Sequence, residues 1–294
     1  MSKLLIGLAA AFGIALSAAA QQPARPLIET KKVEGTHDVY IFRNGNHQAM
    51  FVVTPDGVIA TDPVAYGKPD GGAQYVAEIR KVTSQPIRYL VYSHHHYDHI
   101  AGGKAFKDAG ARIVAHRRAK ERLEKLQDPA TPLPDEVVED SGRVIRLGGK
   151  VLELSYVGLN HSDSTLVMRL PQDRLLFLVD LVPVGAFPGL GMIDFHPFEA
   201  MESLKKILAM DWDRMIPGHP GQPGDRLGTK KDVEDHIALQ QHASDVVKEQ
   251  ARAGKCWNPA EQEVQFERYK DMPGYANGRP YLVRRYCGLW GRGT

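Results

Sequence analysis

Residues 94 to 99 read His-His-His-Tyr-Asp-His. His94 and His96 at spacing i, i+2, followed by Asp98 and His99, put four potential metal ligands in one turn, a concentration that packing does not require. Imidazole and carboxylate together suit zinc and other first-row divalent ions. The turn follows the apolar run Tyr89-Leu90-Val91-Tyr92 and precedes Gly102-Gly103. A strand end would therefore hold the donors rigidly, while the paired glycines let the backbone pass close as a helix opens. A catalytic zinc keeps about three protein ligands plus an open position, and further donors exist. His161 follows the strand-like 151–157, Asp180 closes the apolar run 175–179, and His219 lies in Pro217-Gly218-His219-Pro220 after a short apolar run. Each thus follows a β-like segment, the layout by which open α/β sheets gather a site along one rim.

With these donors in hand, the chain resembles the metallo-β-lactamase superfamily, whose His-X-His-X-Asp-His motif is matched by His94, His96, Asp98 and His99. The family's later His, Asp and His fall on His161, Asp180 and His219, and the resemblance covers about residues 35 to 225. It implies an α/β fold, a four-layer αββα sandwich, holding two divalent metal ions, zinc first, with manganese or iron as alternatives. In that scheme His94, His96 and His161 form one site and Asp98, His99 and His219 the other, with Asp180 bridging. His95 and Tyr97 occupy the variable positions, and period-2 geometry turns His95 away from the metals.

The expected chemistry follows from such a shell. Two ions bring the pKa of bound water from 15.7 to about 7 and polarise the scissile carbonyl or phosphoryl oxygen. Asp98 is the catalytic candidate, orienting the bridging hydroxide and passing a proton to the leaving group. Ser162 beside His161 makes no nucleophile pair, because a metal-bound imidazole is not a free base. Asp62, after the strand 58–61, is a candidate partner for a ligating imidazole or a turn residue before Pro63; Asp163 carries the same two readings.

Substrate is read from the apolar, glycine-rich stretch 182–192, which follows Asp180 and should wall the pocket with Phe187, Val184, Ala186 and Leu190. His47 and His196 lie on loops expected to overhang the site and to contact substrate. Lactamases of the family with Cys at the bridging place commonly carry Lys three positions later, where this chain has Pro183. Asp180 instead resembles the bridge of glyoxalase II, lactonases and related esterases. The expected activity is hydrolysis of an ester, lactone, thioester or lactam bond in a small molecule, with β-lactam hydrolysis the alternative and mononuclear iron dioxygenation a further one.

The chain of 294 residues is 43% hydrophobic and 24% charged with net charge +2, ordinary globular material. It shows no basic stripe interleaved with aromatics, which excludes a nucleic-acid partner. Lys3, the apolar Leu4 to Leu16 and Ser17-Ala18-Ala19-Ala20 have the three regions of a secretory signal, and the apolar part is short for a membrane span. The expected organisation is therefore a signal peptide over 1–20, an extended leader over 21–34, the main domain over 35–253 and a C-terminal extension over 254–294, in a periplasmic or secreted protein. Export permits a disulfide between its only cysteines, Cys256 and Cys287, closing a loop worth roughly 3 kcal/mol; two free thiols are the other possibility.

Hydrophobic periodicity places strands at 38–43, 48–54, 57–61, 88–92, 112–115, 143–147, 150–157, 164–170, 175–179 and 213–216. Helices fall at 71–82, 103–109, 117–126, 197–209 and 230–253. Pro55-Asp56-Gly57 suits a hairpin turn, the proline-bearing 127–137 reads as irregular surface loop, and 254–294 reads as a Pro/Gly-rich appendage.

Overall fold

The computed structural model describes residues 26–189 and 194–293. The signal segment 1–20, the start of the leader, Leu190 and Met192 lie outside those residues. Twelve strands are described: β1 (Ile28–Lys32), β2 (Val39–Asn44), β3 (His47–Thr54), β4 (Gly57–Thr61), β5 (Ile87–Val91), β6 (Arg112–His116), β7 (Glu136–Val138), β8 (Arg143–Leu147), β9 (Lys150–Tyr156), β10 (Leu166–Leu170), β11 (Leu175–Leu178) and β12 (Arg214–Pro217). The helices are α1 (Gly71–Val82), α2 (Tyr97–Ile100), α3 (Gly103–Asp108), α4 (Arg117–Leu126), α5 (Pro197–Ala209), α6 (Lys230–Arg252) and α7 (Tyr275–Arg292).

The first seven strands form one sheet in chain order, and the other five form a second sheet ordered β12-β11-β10-β9-β8. Period-2 alternation decides where each side chain goes. In β11, Leu175 and Phe177 enter the core between the sheets, while Leu176 and Leu178 face the opposite way, toward the helices. In β3, Met50 and Val52 face the inter-sheet core, whereas Ala49 and Phe51 pack with Tyr75, Val76 and Ile79 of α1 and with Phe106 of α3. Helices α5, α6 and α7 cover the second sheet through Leu204, Ile207, Val233, Leu239, Leu282 and Tyr286. Three apolar layers separating four structural layers make the αββα sandwich.

Thr54 pairs with Gly57, so Pro55 and Asp56 form the two-residue hairpin turn. The predicted helices and most strand limits agree with the structure to within one or two residues. Three segments differ. The leader expected over 21–34 contains β1, which pairs with β2 from Ile28↔Asn44 to Lys32↔Tyr40. The loop expected over 127–137 ends in β7, whose Glu136 pairs with Val114.

The third difference concerns the C-terminal extension. Its last part is the long helix α7, whose Leu282, Val283, Tyr286 and Leu289 enter the core with α6. Gly278, Pro280, Gly288 and Gly291 lower its helix propensity, so tertiary packing makes this helix. Gly278 is needed for close approach: a Cβ there would stand 1.9 Å from the carbonyl oxygen of Pro188. Cys256 and Cys287 form a disulfide with Cα atoms 5.5 Å apart, tying α7 to the turn after α6. Replacing both cysteines by serine should lower unfolding stability by about 3 kcal/mol and speed proteolysis within 254–274. Calorimetry and limited digestion of the variant check this, and an unchanged melting temperature contradicts it.

Candidate metal centre

Strand direction assembles the site. Strands β4 and β5 run parallel, as do β11 and β12, and β9 shares the direction of β11 because each is antiparallel to β10. Their C-terminal ends therefore form one rim. Asp62 follows β4, His94 and His96 follow β5, His161 lies in the loop after β9, Asp180 follows β11 and His219 follows β12. Single-turn helix α2 then returns Asp98 and His99 to the same place.

Two groups of donors result: His94, His96, His161 and Asp180, and His47, Asp98, His99 and His219, with the candidate atoms of each group within 4.8 Å of one another. Asp180 stands at their junction. Its Oδ2 is 3.1 Å from His99 Nε2, 3.5 Å from His161 Nε2 and 3.7 Å from His94 Nε2, and its Oδ1 is 3.0 Å from His219 Nε2. Asp180 adopts φ +60°, a left-handed backbone that Asp tolerates better than branched residues do. His94 Nε2 and His99 Nε2 are buried and make no hydrogen bond. Buried imidazole lone pairs facing a carboxylate fit a divalent first-row cation in ligand type and number.

Partners outside the cluster hold the rings in place. Ser93 Oγ meets His94 Nδ1 at 2.8 Å, and Asp62, wholly buried, accepts the Ser93 backbone N–H at 2.7 Å and faces His99 Nδ1 at 3.9 Å. His96 turns Nδ1 toward His161 Nε2 at 3.0 Å and its Nε2 to Asp194 Oδ2 at 2.8 Å. His219 Nδ1 donates to the carbonyl of Asn46 at 2.5 Å. Such outer partners fix tautomer and orientation. His95 bonds Ser164 Oγ at 2.9 Å, turned away from the central pair of groups, although it lies near His96 and Asp194 in a shallower grouping. Asp163 is engaged by Arg122 through bonds of 3.0 and 2.6 Å, which leaves its reading as a structural residue.

Electrostatics follow from burial and proximity. Burial, reinforced by His96, holds the His94 ring well below the usual imidazole range and pulls His161 down to about 4, so both rings are neutral with a free lone pair. Burial also opposes charge on His99, but Asp180, Asp62 and Asp98 outweigh it and raise that ring to about 9. Desolvation pushes Asp62 up to about 6 against the attraction of His99. At Asp180 and Asp98 the desolvation cost is overcome by neighbouring imidazoles, and both carboxyls sit below their usual value.

The donors open onto a cavity of about 500 Å³ whose other wall is Leu181, Val182, Pro183, Val184, Phe187 and Phe195. His47 and Phe187 border it, as expected for substrate contacts, but each has a further relation. His47 Nε2 lies 3.4 Å from Asp98 Oδ2, inside the second donor group. Phe187 is buried against Tyr275, with ring centroids 5.0 Å apart, and the two tie the pocket loop to α7. His196 is not part of the lining: it precedes Pro197 at the start of α5, its backbone N–H donates to the carbonyl of Asn160, and its neighbour Phe195 takes the wall position. Asp194 was not singled out from sequence; as one carboxylate on an irregular loop it carries no spacing signal. Also unforeseen, His236 and Gln240 of α6 and Pro273-Gly274 complete the wall.

The profile of the metallo-beta-lactamase superfamily matches residues 43–219. The chain belongs to this superfamily. It is 26% identical over 197 residues to the alpha subunit of 2,4-dinitroanisole O-demethylase from Nocardioides sp. (strain JS1661), covering 66% of this chain and 58% of that one. It is also 25% identical over 283 residues to the linear primary-alkylsulfatase of Pseudomonas sp. (strain ATCC 19151), covering 81% and 52% of the two chains. A third relative, the type 2 metallo-beta-lactamase of Bacillus cereus, is 28% identical over 157 residues, 52% of this chain and 59% of that protein. The chain thus spans between half and three fifths of the length of these relatives. Among solved structures, the metallo-beta-lactamase from Pontibacter korlensis superposes with TM-score 0.63 at 20% identity, over 73% of this chain and 99% of that one, a likeness of fold.

Asp194 offers a test of this arrangement, since its side chain is 39% exposed and its loss should cost little folding energy. Asp194→Ala is expected to weaken zinc retention by tenfold or more while leaving the melting temperature of the metal-free protein nearly unchanged. Competition with a chromophoric chelator measures the first quantity. Zinc affinity equal to that of the unaltered protein contradicts the orienting role.

Proposed function

We propose that the protein is an exported, dinuclear metal-dependent hydrolase of ester, lactone, thioester or lactam bonds in small molecules with an apolar body. The observation that carries the reading is the pair of donor groups meeting at Asp180, at the side of a cavity whose remaining wall is mostly apolar. His94, His96 and His161 would hold one ion and Asp98, His99 and His219 the other, with Asp180 shared and zinc the leading candidate by donor chemistry. Bound there, such ions would acidify water to a pKa near 7 and polarise the scissile oxygen.

The chain's own residues supply the rest. Asp98 borders the cavity with its side chain about one-third exposed. Held ionised beside His47 and His99, it can take a proton from the attacking water on a carboxylate oxygen and deliver it to the leaving group. Leu181, Val182, Val184 and Phe187 exclude water from the substrate body and favour apolar groups by burial. Pro183 offers no cation to a substrate carboxylate. That favours neutral esters and lactones over β-lactams; β-lactam hydrolysis remains the second reading through the 28% identical Bacillus cereus relative. Export rests on the N-terminal segment and is consistent with the disulfide. Among the described residues no helix is long and apolar enough to cross a membrane.

A hydrolysis panel of aryl esters, lactones, lactoylglutathione, nitrocefin, and sulfate and phosphate esters, run on protein whose metal has been counted, tests the reaction class. The expectation is close to two ions per chain and turnover of a neutral carboxylic ester, lactone or thioester. His161→Ala should fall to about one ion, and Asp98→Asn should lose 10²-fold or more in kcat. Protein that takes up no zinc, manganese or iron overturns the proposal. A second variant, Pro183→Lys, should raise kcat/KM for carboxylate-bearing lactams relative to neutral esters; an unchanged ratio removes Pro183 from the selectivity argument.

A further inference from the structure

The cavity has polar atoms outside the imidazole and carboxylate groups already described. His236 and Gln240 of α6 line it together, one turn apart on the same helix face. They are only 5% and 1% exposed, so they belong to its buried side, whereas Asn46 and Gly189 at other points of the lining are exposed. Two buried polar side chains on a largely apolar wall demand hydrogen-bond partners, and the partners found define a direction.

Tyr286 of α7 donates its hydroxyl to Gln240 Oε1 at 2.9 Å. With its oxygen so engaged, Gln240 has only N–H donors left, and its Nε2 is 3.1 Å from His236 Nε2. His236 must therefore accept at Nε2. Burial draws this ring down to about 4, so it is neutral at ordinary pH, and a neutral imidazole accepting at Nε2 carries its proton on Nδ1. Among the described residues Gln240 is the only hydrogen-bond partner of the His236 side chain. The chain Tyr286 to Gln240 to His236 ends on one N–H with no protein acceptor, on a residue that borders the cavity.

We propose that His236 is a specificity-determining residue whose Nδ1–H receives an oxygen acceptor on the part of the substrate remote from the scissile bond. The inference rests on the hydrolase reading above and narrows its substrate class to compounds with an apolar body bearing a neutral keto, ether or ester oxygen. A charged tail is disfavoured, because the surrounding Leu181, Val182, Val184 and Phe187 cannot solvate it. Tyr286 and Gln240 are positioning residues: they fix the tautomer of His236, and the neighbouring disulfide at Cys287 holds the helix of Tyr286 to the turn after α6. A site built around a hydrogen bond rejects the isostere that lacks it, since the donor is then left unpaired.

The test uses mature zinc-loaded protein with its metal counted. Calorimetry measures the binding of keto carboxylates of increasing chain length, each paired with the alkanoate in which methyl replaces the keto oxygen. At one chain length the keto acid should bind about tenfold more tightly than its partner. His236→Phe should abolish that preference, and Tyr286→Phe, which frees the Gln240 amide to rotate without emptying the wall, should reduce it severalfold. His236→Gln, which restores an N–H donor, should recover part of it. Equal affinity within every pair, a preference that survives in both His236→Phe and Tyr286→Phe, or failure of all the acids to bind overturns the proposal. Turnover of the corresponding aryl esters is followed in parallel. Discrimination between the acids with hydrolysis of no ester would contradict the hydrolase reading while leaving the recognition by His236 standing.

Discussion

Asp180 is one carboxylate surrounded by four imidazoles, those of His94, His99, His161 and His219, at 3.0 to 3.7 Å. Its charge is buried, and a buried carboxylate is tolerated only where opposite charge or hydrogen bonds compensate it. Protonating all the surrounding rings would put charge where water cannot reach and crowd like charges, and the lowered positions of His94 and His161 express chiefly the burial cost, with His96 adding to it. Divalent cations meet both requirements: they neutralise the carboxylate and use the imidazole lone pairs. The left-handed backbone at Asp180 and the orphaned Nε2 atoms of His94 and His99 are local costs that such ions would offset.

The scaffold answers that constraint in layers. Parallel strand pairs in two different sheets end on one rim, so the donors come from rigid elements separated widely in sequence. Asp62, Ser93, Asp194 and the carbonyl of Asn46 then hold the rings from behind. The cavity wall opposite is less local still. It needs the loop after Asp180, one face of α6, and α7, whose Gly278 lets Pro188 approach and whose Tyr286 reaches Gln240. The helix farthest from the motif in sequence thereby shapes the pocket.

What was legible from residues alone divides along the same line. The motif at 94–99 and the three later donors stood out because ligand types recurred at strand ends, a signal carried by type and short spacing. The helices before residue 254 and most strands were legible from periodicity, whereas the αββα arrangement was implied by the family resemblance. His47 was readable only as a loop residue near the site, because its place beside Asp98 depends on β3 starting at the rim where β4 ends. Asp194 and His236 gave no local signal: one lies on an irregular loop, and the other reads as an ordinary position on an amphipathic helix. Helix α7 was hidden by its glycines and Pro280, whose cost is met by packing against α6. The edge strands β1 and β7 were missed because β1 is mostly polar and only half-covered, while β7 is three residues long, too short to show a period.

The central claim is that Asp180 is shared between two cation sites. Anomalous diffraction at the zinc edge from crystals of the zinc-loaded protein tests it most directly. The account predicts two peaks roughly 3.5 to 4 Å apart, one among His94, His96 and His161 and the other among Asp98, His99 and His219, with Asp180 touching both. A single peak, or two peaks of which one makes no contact with Asp180, would contradict it.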